Sequence, residues 1–253
     1  FPPATPVLTG PVFVLAGHTS YVQWVDALLA AGCAAGATLI AATYPRAVVD
    51  LNRDASEQDP DSLADPDRLP GLRVTARARA GLGVVPTRLL GQPIYAARLQ
   101  AVEIRRRLVQ AHQPYHAQLA ALVAERRCHC GISVVLDCHS MPTVVSGRGE
   151  PAIDVALGDR FGRSCHPRLT EVAETVLGRA GLRVARNRPY AGGYITEHHG
   201  RPAAASEISV TAAQSGWLRD HLVAAWGAAR LVTRSDRQKE RMRRDMWSKV
   251  EIG

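Results

Sequence analysis

The chain has 253 residues, of which 46% are hydrophobic and 21% are charged. This length and composition exclude a disulfide-stapled miniprotein and a disordered polymer, and no apolar run in the sequence is long enough to span a membrane. The formal net charge is +8, which alone does not distinguish a nucleic acid, an anionic membrane and a small acidic substrate as the ligand.

Short apolar runs and helical patterns alternate along the chain. The runs PVFVLAG, ATLIAAT and ISVVLD predict buried strands at residues 11–17, 37–43 and 132–137, and weaker strand patterns occur at 182–186 and 203–210. Helices are predicted at residues 22–35, 167–180 and 212–232. This order predicts an α/β domain with helices on both faces of a mixed, mainly parallel sheet.

The middle of the chain has a different composition. Residues 54–86 are rich in Asp, Pro, Arg and Gly and show little periodicity, so we expect a long excursion over the surface that folds over a site. Residues 93–127 have apolar positions at helical spacing, but Pro114 lacks a backbone N–H and clashes with the preceding turn. We therefore expect two helices or one kinked helix there.

The chain divides into three parts. We interpret residues 1–10 as an N-terminal extension, residues 11–232 as a single α/β domain and residues 233–253 as a basic helix or tail. Residues 234–249 alternate in charge sign and contain few core residues. Because mixed-sign runs are typical of solvent-exposed helices, we interpret this segment as a docking element for a protein partner rather than as a nucleic-acid contact.

The five cysteines are an odd number in a chain that is long enough to fold without disulfide bonds. We therefore expect reduced thiols and a cytoplasmic protein, and the proline-rich start of the chain lacks the pattern of an export signal. The motif Cys128-His129-Cys130 has no second Cys/His pair at zinc-finger spacing, so no structural zinc site is expected there.

Polar side chains follow three of the predicted strands. His18 follows the first strand, Arg46 and the run Asp50-Leu51-Asn52-Arg53 follow the second, and Asp137-Cys138-His139 follows the third. Ligands bind beyond the carboxyl ends of the strands in open α/β sheets, because the loops converge there. Capping or hydrogen bonding explains each residue alone, but their convergence predicts a site.

The residue types at this edge fit metal-assisted hydrolysis of a carbonyl compound. Neutral imidazoles such as those of His18 and His139 are good ligands for Zn²⁺, and a catalytic zinc site leaves one position for water. Glu207 lies in the apolar run AAASEISV, so its carboxylate needs either an ion pair or a role as the general base. Asp137 shares a strand face with His139 and is placed to orient that imidazole.

Arg53 beside Asn52 suits a small-molecule substrate that bears a carboxylate, because a guanidinium binds a carboxylate through two hydrogen bonds. The alternative is an ion pair of Arg53 with Asp50 or Asp54 at the surface. The sequence alone is compatible with both substrate binding by Arg53 and this ion pair.

Three other histidines need an interpretation. His116 in PYHAQL is expected to be a core histidine with satisfied hydrogen bonds. His198 and His199 follow a loop with two glycines and are expected to face the substrate.

Six segments together resemble the N-formylglutamate amidohydrolase family. They occur in the family's order and are YPRAVVDLNRD (44–54), GLGVVPTRLLGQPIY (81–95), PYHAQL (114–119), VVLDCHSMP (134–142), ALGDRFGRSC (156–165) and ARNRPYAGGYITEHHGRP (185–202). Because that family is similar in fold to zinc carboxypeptidases and aspartoacylase, the resemblance implies a three-layer α/β/α fold of the zinc-carboxypeptidase type. It also implies Zn²⁺-dependent cleavage of N-formyl-L-glutamate to formate and L-glutamate, a step of histidine degradation.

The resemblance implies a metal site and a base. His139 in LDCHS matches a zinc-ligand histidine, and His18 in AGHTS matches the histidine of the family's first metal-binding turn. Glu207 stands where the wider superfamily keeps its general base.

The resemblance also implies the residues that contact the substrate. Asn52 and Arg53 match the pair that binds the substrate carboxylate, and Arg46 matches an arginine that polarises the scissile carbonyl. Tyr194 matches a substrate-facing tyrosine, and the alternative is a packed aromatic ring beside two glycines.

Two segments are shorter than the family pattern. Ser20 runs directly into residues 21–22, where the family has an acidic pair, so the third metal ligand is not located, and Asp26 is the nearest candidate. Only residues 203–206 separate the GRP motif from Glu207. Three explanations stay open: loops that are absent from this sequence, a rearranged active enzyme, and a catalytically inactive paralogue that serves as a structural or interaction subunit of a larger assembly.

Overall fold

The computed structural model describes residues 15–16, 19–20, 38–42, 44–89, 91–130, 133–141, 152–200, 206–213 and 249–252. These residues fall into two compact units. The described residues before residue 22 and from 42 to 119 belong to the first unit, and residues 38–41 and the described residues from 120 to 252 belong to the second unit.

The strands of the described residues have two to eight residues. In chain order they are β1 (Leu15–Ala16), β2 (Thr19–Ser20), β3 (Thr38–Ala41), β4 (Arg88–Leu89), β5 (Gln92–Pro93), β6 (Val134–Met141), β7 (Val155–Gly158), β8 (Val184–Arg186), β9 (Ser206–Ala213) and β10 (Lys249–Ile252). In the first unit, β1 pairs antiparallel with β2, and β4 pairs antiparallel with β5.

The helices are α1 (Ala76–Arg79), α2 (Ala101–Arg107), α3 (Gln113–Cys130), α4 (Pro167–Arg179) and α5 (Tyr194–His199), with 3₁₀ turns at Pro60–Ser62 and Pro66–Arg68. The predicted helix at residues 22–35 lies outside the described residues. So do residues 214–232 of the helix predicted at 212–232, and its first two residues belong instead to strand β9. In the part of the chain that the structure describes, no helix has the length and apolar character of a membrane span.

A six-stranded sheet forms the second unit, in the strand order β3, β10, β6, β9, β7, β8. The pair β7 and β9 is antiparallel, and the other four neighbouring pairs are parallel. Strands and helices alternate along this part of the chain, so the predicted α/β class is confirmed. β10 lies at the end of the predicted basic helix or tail and is a strand, whereas residues 233–248 lie outside the described residues.

One face of β6 contributes to the apolar core of the second unit. Val134, Leu136 and Cys138 are buried in an apolar cluster with residues of β7 and α4. Successive side chains of a strand point to opposite faces. Asp137 and His139 therefore lie on the face opposite this cluster.

The bounds of β6 and α4 show what local signals can predict. β6 was expected to end at Asp137 but continues to Met141, because β9 pairs with every residue of β6. α4 ends within one residue of its predicted end. It begins where His166 accepts a hydrogen bond from the backbone N–H of Arg168 at 3.3 Å, and Pro167 suits the first helical position because that position needs no donor.

The first unit is rich in loops but closely packed. The surface excursion predicted at residues 54–86 is confirmed only in part. Residues 64–77 contain no buried residue, whereas Val84 and Val85 near the end of the segment are fully buried. The backbone N–H of Val84 donates to the carbonyl of Glu57 at 2.7 Å, and that of Val85 donates to the side-chain Oε1 of Gln58 at 3.0 Å. The two buried N–H groups thus form hydrogen bonds without belonging to a regular β-sheet.

A π-helical turn interrupts the helical segment of the first unit. It spans Leu108–His112, directly after α2 and directly before α3. Pro114 is the second residue of α3 and directly follows this turn. The helical segment therefore does not break at Pro114, and its irregular part is the π-helical turn just before the proline.

We expect Gly158→Ala to destabilise the second unit. A Cβ atom at Gly158 would lie 2.5 Å from the carbonyl carbon of Ala191 and 2.5 Å from the backbone nitrogen of Gly192. Overpacking of this kind costs about 1–3 kcal/mol. The free energy of unfolding, measured by urea titration, should fall by about that amount.

Gly178→Ala in α4 is the matched control. A Cβ atom at Gly178 would meet nothing within 4 Å, and alanine is favoured over glycine in a helix by about 0.5–1 kcal/mol. The control should therefore be neutral or stabilising. An unfolding free energy of Gly158→Ala at or above that of the wild type would contradict the close packing of β7 on residues 191–192.

Candidate active site

A buried carboxylate organises the segment that contains the predicted arginines of the first unit. Asp50 is 4% exposed, and its backbone N–H donates to the carbonyl of Val84 at 2.7 Å. Its Oδ2 accepts a hydrogen bond from Nε of Arg46 at 2.9 Å, and its Oδ1 accepts one from the backbone N–H of Asn52 at 3.0 Å. Nε of Arg53 lies 3.7 Å from Oδ2.

These partners keep Asp50 ionised. Burial raises the pKa of Asp50, but the guanidinium groups of Arg46 and Arg53 and the hydrogen bonds from Arg46 and Asn52 together outweigh burial and hold the pKa below its ordinary value. Asp50 is therefore charged at neutral pH. Two arginines share one buried negative charge.

Arg53 is a buried cation that the backbone holds in place. Its Nε donates to the carbonyl of Leu82 at 3.1 Å, and its Nη1 donates to the carbonyl of Asn52 at 2.9 Å. Nη2 of Arg53 has no acceptor among the residues that the structure describes. The ion pair with Asp50 that we considered as an alternative is present but buried. It leaves Nη2 available for an anion.

The charge of Arg53 is maintained in this environment. Burial lowers the pKa of Arg53, and the charge of Asp50 opposes this effect. A guanidinium stays protonated at neutral pH even when its pKa falls, because its ordinary value is far above 7. Arg53 is therefore suited to bind a carboxylate.

Two histidines of the helical segment contact the carbonyls on either side of Asn52. Nε2 of His112 lies 2.8 Å from the carbonyl oxygen of Arg53, and Nε2 of His116 lies 2.9 Å from that of Leu51. His116 has the hydrogen bond expected of a core histidine. The contact of His112 was not predicted, because its partner is 59 residues away and leaves no local signal.

In the second unit, Asp137 and His139 form a carboxylate–imidazole pair on β6. Oδ1 of Asp137 lies 2.6 Å from Nε2 of His139, and Oδ2 accepts a hydrogen bond from Oγ1 of Thr196 in α5 at 3.4 Å. Asp137 is fully buried, whereas the side chain of His139 is 12% exposed. The carboxylate of Asp137 therefore lies beside Nε2 of the imidazole and not beside Nδ1.

The register of β6 and β9 sets the position of Glu207 in the sheet. Glu207 pairs with Val135, whereas Thr211 pairs with His139. A parallel strand rises about 3.3 Å per residue, so Glu207 lies about 13 Å before the level of His139 along the sheet. The backbone does not bring Glu207 next to His139, and the role of Glu207 as a general base stays a prediction.

Tyr194 lies in a cluster of aromatic rings on α5. Its ring stacks on that of His198 with 4.9 Å between the centroids, and His198 contacts His199 edge to face at 4.8 Å. This packing agrees with the alternative interpretation of Tyr194. Its contact with the substrate, like those of His198 and His199, stays a prediction.

Strained backbone after β7 and after β8 was not predicted. Arg160, Phe161 and Asn187 have φ angles of 53°, 58° and 55°, a region that non-glycine residues rarely adopt. Nδ2 of Asn187 donates to Oδ1 of Asp159 at 2.8 Å and so holds the loop. Strained backbone of this kind concentrates at functional sites, but arginine and phenylalanine give no sequence signal for it.

The predicted metal ligands are only partly described. His18 and Asp26 lie outside the described residues, so their convergence with His139 stays a prediction. Within the described ranges, no group of three His, Cys, Asp or Glu side chains could hold a metal ion. Of the two predicted zinc-ligand histidines, His139 lies among the described residues and His18 does not.

We expect Asp50→Asn to destabilise the first unit strongly. The amide preserves the shape of the side chain but removes the charge that compensates buried Arg53. Breaking a buried ion pair costs about 3–5 kcal/mol. Asp61→Asn changes an exposed aspartate and should alter the free energy of unfolding by less than about 0.5 kcal/mol.

The effect of Asp50→Asn should depend on pH. Because the pKa of Asp50 in the folded chain lies below its ordinary value of 3.8, its contribution is complete above that value and is lost as the pH falls through the folded pKa. Urea titrations of wild type and variant should therefore converge at low pH. A difference that persists unchanged at acidic pH would contradict the ion pair.

The chain was compared with known sequences. A sequence model of the N-formylglutamate amidohydrolase family matches residues 14–211. The N-formylglutamate deformylase of Pseudomonas aeruginosa is 32% identical over 175 residues, which are 66% of this chain and 59% of that protein. The N-formylglutamate deformylase of Pseudomonas putida is 31% identical over 191 residues, which are 73% of this chain and 66% of that protein.

The fold agrees with these matches. The crystal structure of N-formylglutamate amidohydrolase from Ralstonia eutropha is similar to this structure with a TM-score of 0.75 and 31% identity. The similarity covers 85% of this chain and 84% of that chain. The match to the family model spans both units, from residue 14 to residue 211. The chain therefore belongs to the N-formylglutamate amidohydrolase family.

Proposed function

We propose that this chain hydrolyses the amide of a small N-acyl acidic amino acid, with N-formyl-L-glutamate as the substrate and formate and L-glutamate as the products. The observation that carries the proposal is the pair Asp137 and His139 on β6 of a chain that belongs to this family. The names of the two Pseudomonas relatives support the substrate. The reaction would be a step of histidine degradation.

In this proposal, Asn52 and Arg53 bind a carboxylate of the substrate. Nη2 of Arg53 donates to that carboxylate, and a charge-assisted hydrogen bond of this type is stronger than a neutral one. The carbonyls of Leu82 and Asn52 already orient the guanidinium, so little conformational entropy is lost on binding. Arg46 is assigned to polarise the scissile carbonyl, and the same Asp50 that pairs with Arg53 fixes its position.

The side chains around His139 fit a zinc ligand. Metal-ligating histidines keep a carboxylate or carbonyl beside the ring nitrogen that does not bind the metal, and Oδ1 of Asp137 lies 2.6 Å from Nε2. His139 would then bind Zn²⁺ through Nδ1, together with His18 and a third ligand that is not assigned. Bound Zn²⁺ polarises a carbonyl and lowers the pKa of water, which is the chemistry that amide hydrolysis requires.

The overall reaction adds one water molecule to the amide. The water oxygen bonds to the formyl carbon, the C–N bond breaks, and the leaving amine takes a proton. Glu207 is assigned to accept the proton from water and return it to the amine. Tyr194 is assigned to contact the substrate.

A second candidate function is that of a catalytically inactive paralogue which acts as a structural or interaction subunit. The register favours it, because Glu207 lies four residues before the level of His139 in the sheet. In that case the basic segment at residues 233–253 would dock on a protein partner.

We also propose a three-layer α/β/α arrangement of the zinc-carboxypeptidase type and a cytoplasmic location. α4 packs against one face of β6 through Leu177, and Thr196 of α5 contacts Asp137 on the other face, which supports helices on both sides. The buried free thiols of Cys138 and Cys165 agree with a reducing compartment.

The proposal predicts that the purified chain holds about one zinc ion per molecule and releases formate from N-formyl-L-glutamate. Glu207→Gln should retain zinc and lose kcat by about 10²- to 10⁴-fold, because it removes the general base. Elemental analysis and a coupled formate assay measure the two quantities.

The absence of both zinc and formate release would reject the hydrolase, and residence in a larger zinc-free assembly by native mass spectrometry would favour the second candidate. An active wild type with an unchanged Glu207→Gln variant would remove Glu207 from the mechanism.

We expect Arg53→Lys to weaken substrate binding more than turnover. Lysine keeps the charge, but it cannot donate to the carbonyls of Leu82 and Asn52 and to the substrate in the same geometry. KM should rise about 10-fold or more, with a smaller change in kcat. Arg79→Lys, on the exposed side of α1, is the control and should leave both constants unchanged. A fall in kcat at constant KM would contradict the role of Arg53 in binding.

A further inference from the structure

Two histidine rings donate to the backbone on both sides of Asn52. His112 contacts the carbonyl of Arg53 at 2.8 Å, and His116 contacts the carbonyl of Leu51 at 2.9 Å. A carbonyl oxygen only accepts hydrogen bonds, so Nε2 must carry the proton in both rings. Both contacts thus fix the same short segment of backbone.

The helical segment presents these two rings together. His112 ends the π-helical turn and His116 lies four residues later in α3, so both face the same side of the helix. Their ring centroids are 4.4 Å apart. The two Nε2 atoms can therefore reach carbonyls that are two residues apart in an irregular segment.

The two histidines contact carbonyls of the segment that carries Asn52 and Arg53. The backbone of residues 51–53 has no pairing strand, because its elements are turns. Its carbonyls at 51 and 53 are instead fixed by the helix, while the carbonyl of Asn52 accepts from Nη1 of Arg53. A displacement of about 1 Å in a substrate-positioning group can reduce activity about 10²-fold. The two donors are thus in a position to set the geometry of substrate binding.

We propose that His112 and His116 are positioning residues that hold Asn52 and Arg53 in the geometry that binds the substrate carboxylate. The inference rests on the proposed function of Asn52 and Arg53. His112 is 3% exposed, so its ring is supported by packing and is not displaced by solvent. Neither histidine needs to touch the substrate in this role.

Tyr115 provides an internal comparison. It lies between the two histidines, it is 8% exposed, and its hydroxyl has no hydrogen-bond partner among the described residues. Its ring contacts His116 edge to face at 5.4 Å. Tyr115→Phe therefore removes a buried hydroxyl between the two histidines but leaves both hydrogen bonds to the backbone of residues 51–53 in place.

The test replaces each histidine in the full chain by phenylalanine and by glutamine. Phenylalanine keeps a ring but removes the donor, and the glutamine amide places a donor near the position of Nε2. His112→Phe and His116→Phe should raise KM for N-formyl-L-glutamate by about 10-fold or more, with a smaller change in kcat. The glutamine variants should recover most of this loss, and Tyr115→Phe should behave as the wild type.

Two kinetic results would overturn the inference. One is an unchanged KM in both phenylalanine variants. The other is glutamine variants that are as impaired as the phenylalanine variants, because the ring and not the donor would then be required. If a phenylalanine variant does not fold, asparagine replaces it, since the asparagine amide is polar but too short to reach the carbonyl.

Hydrogen exchange separates this inference from the proposed function. Amides of residues 50–54 should exchange faster in the phenylalanine variants than in the wild type, and Tyr115→Phe should leave them unchanged. If the wild type releases no formate, the proposed function fails, but the exchange measurement still decides whether the histidines hold the segment. Exchange at residues 50–54 that is the same in all variants would overturn the positioning role.

Discussion

The architecture of the first unit depends on one buried negative charge. A buried carboxylate is costly unless it is hydrogen-bonded and paired with a cation, and Asp50 has both kinds of partner. Arg46 and Arg53 pair with it, and the backbone N–H of Asn52 donates to it. Together these contacts fix residues 46–53 around the Asp50 carboxylate. The interaction that stabilises Asp50 thus also orients the arginines assigned to the substrate.

The second unit uses the same principle on a regular strand. Asp137 is fully buried, and it contacts Nε2 of His139 and the hydroxyl of Thr196. In each unit a buried aspartate contacts a basic side chain with a proposed role in the reaction: Asp50 contacts Arg46 and Arg53, and Asp137 contacts His139. Asp50 lies in a loop and Asp137 lies on β6, so such a contact does not require regular secondary structure. Buried polar contacts supply the order instead.

Local signals predicted part of this structure. The apolar run ISVVLD predicted β6, and the two-residue repeat of strand side chains placed Asp137 and His139 on one face. The packing of residues 54–86 was not predictable, because buried Glu57 accepts hydrogen bonds from the distant backbone N–H of Val84 and hydroxyl of Thr75, and neither partner leaves an apolar pattern in the sequence. The carbonyl partner of His112 and the strand register of Glu207 are also set by tertiary contacts, which composition and spacing do not encode.

The central claim is that Arg53, held by Asp50 and by two backbone carbonyls, receives a carboxylate of the substrate. A crystal structure of the chain with bound L-glutamate, the proposed product, tests it most directly. We expect a carboxylate oxygen about 2.7–2.9 Å from Nη2 of Arg53, with Nε and Nη1 still bonded to the carbonyls of Leu82 and Asn52. L-glutamate bound with both carboxylates away from Arg53 would contradict the claim.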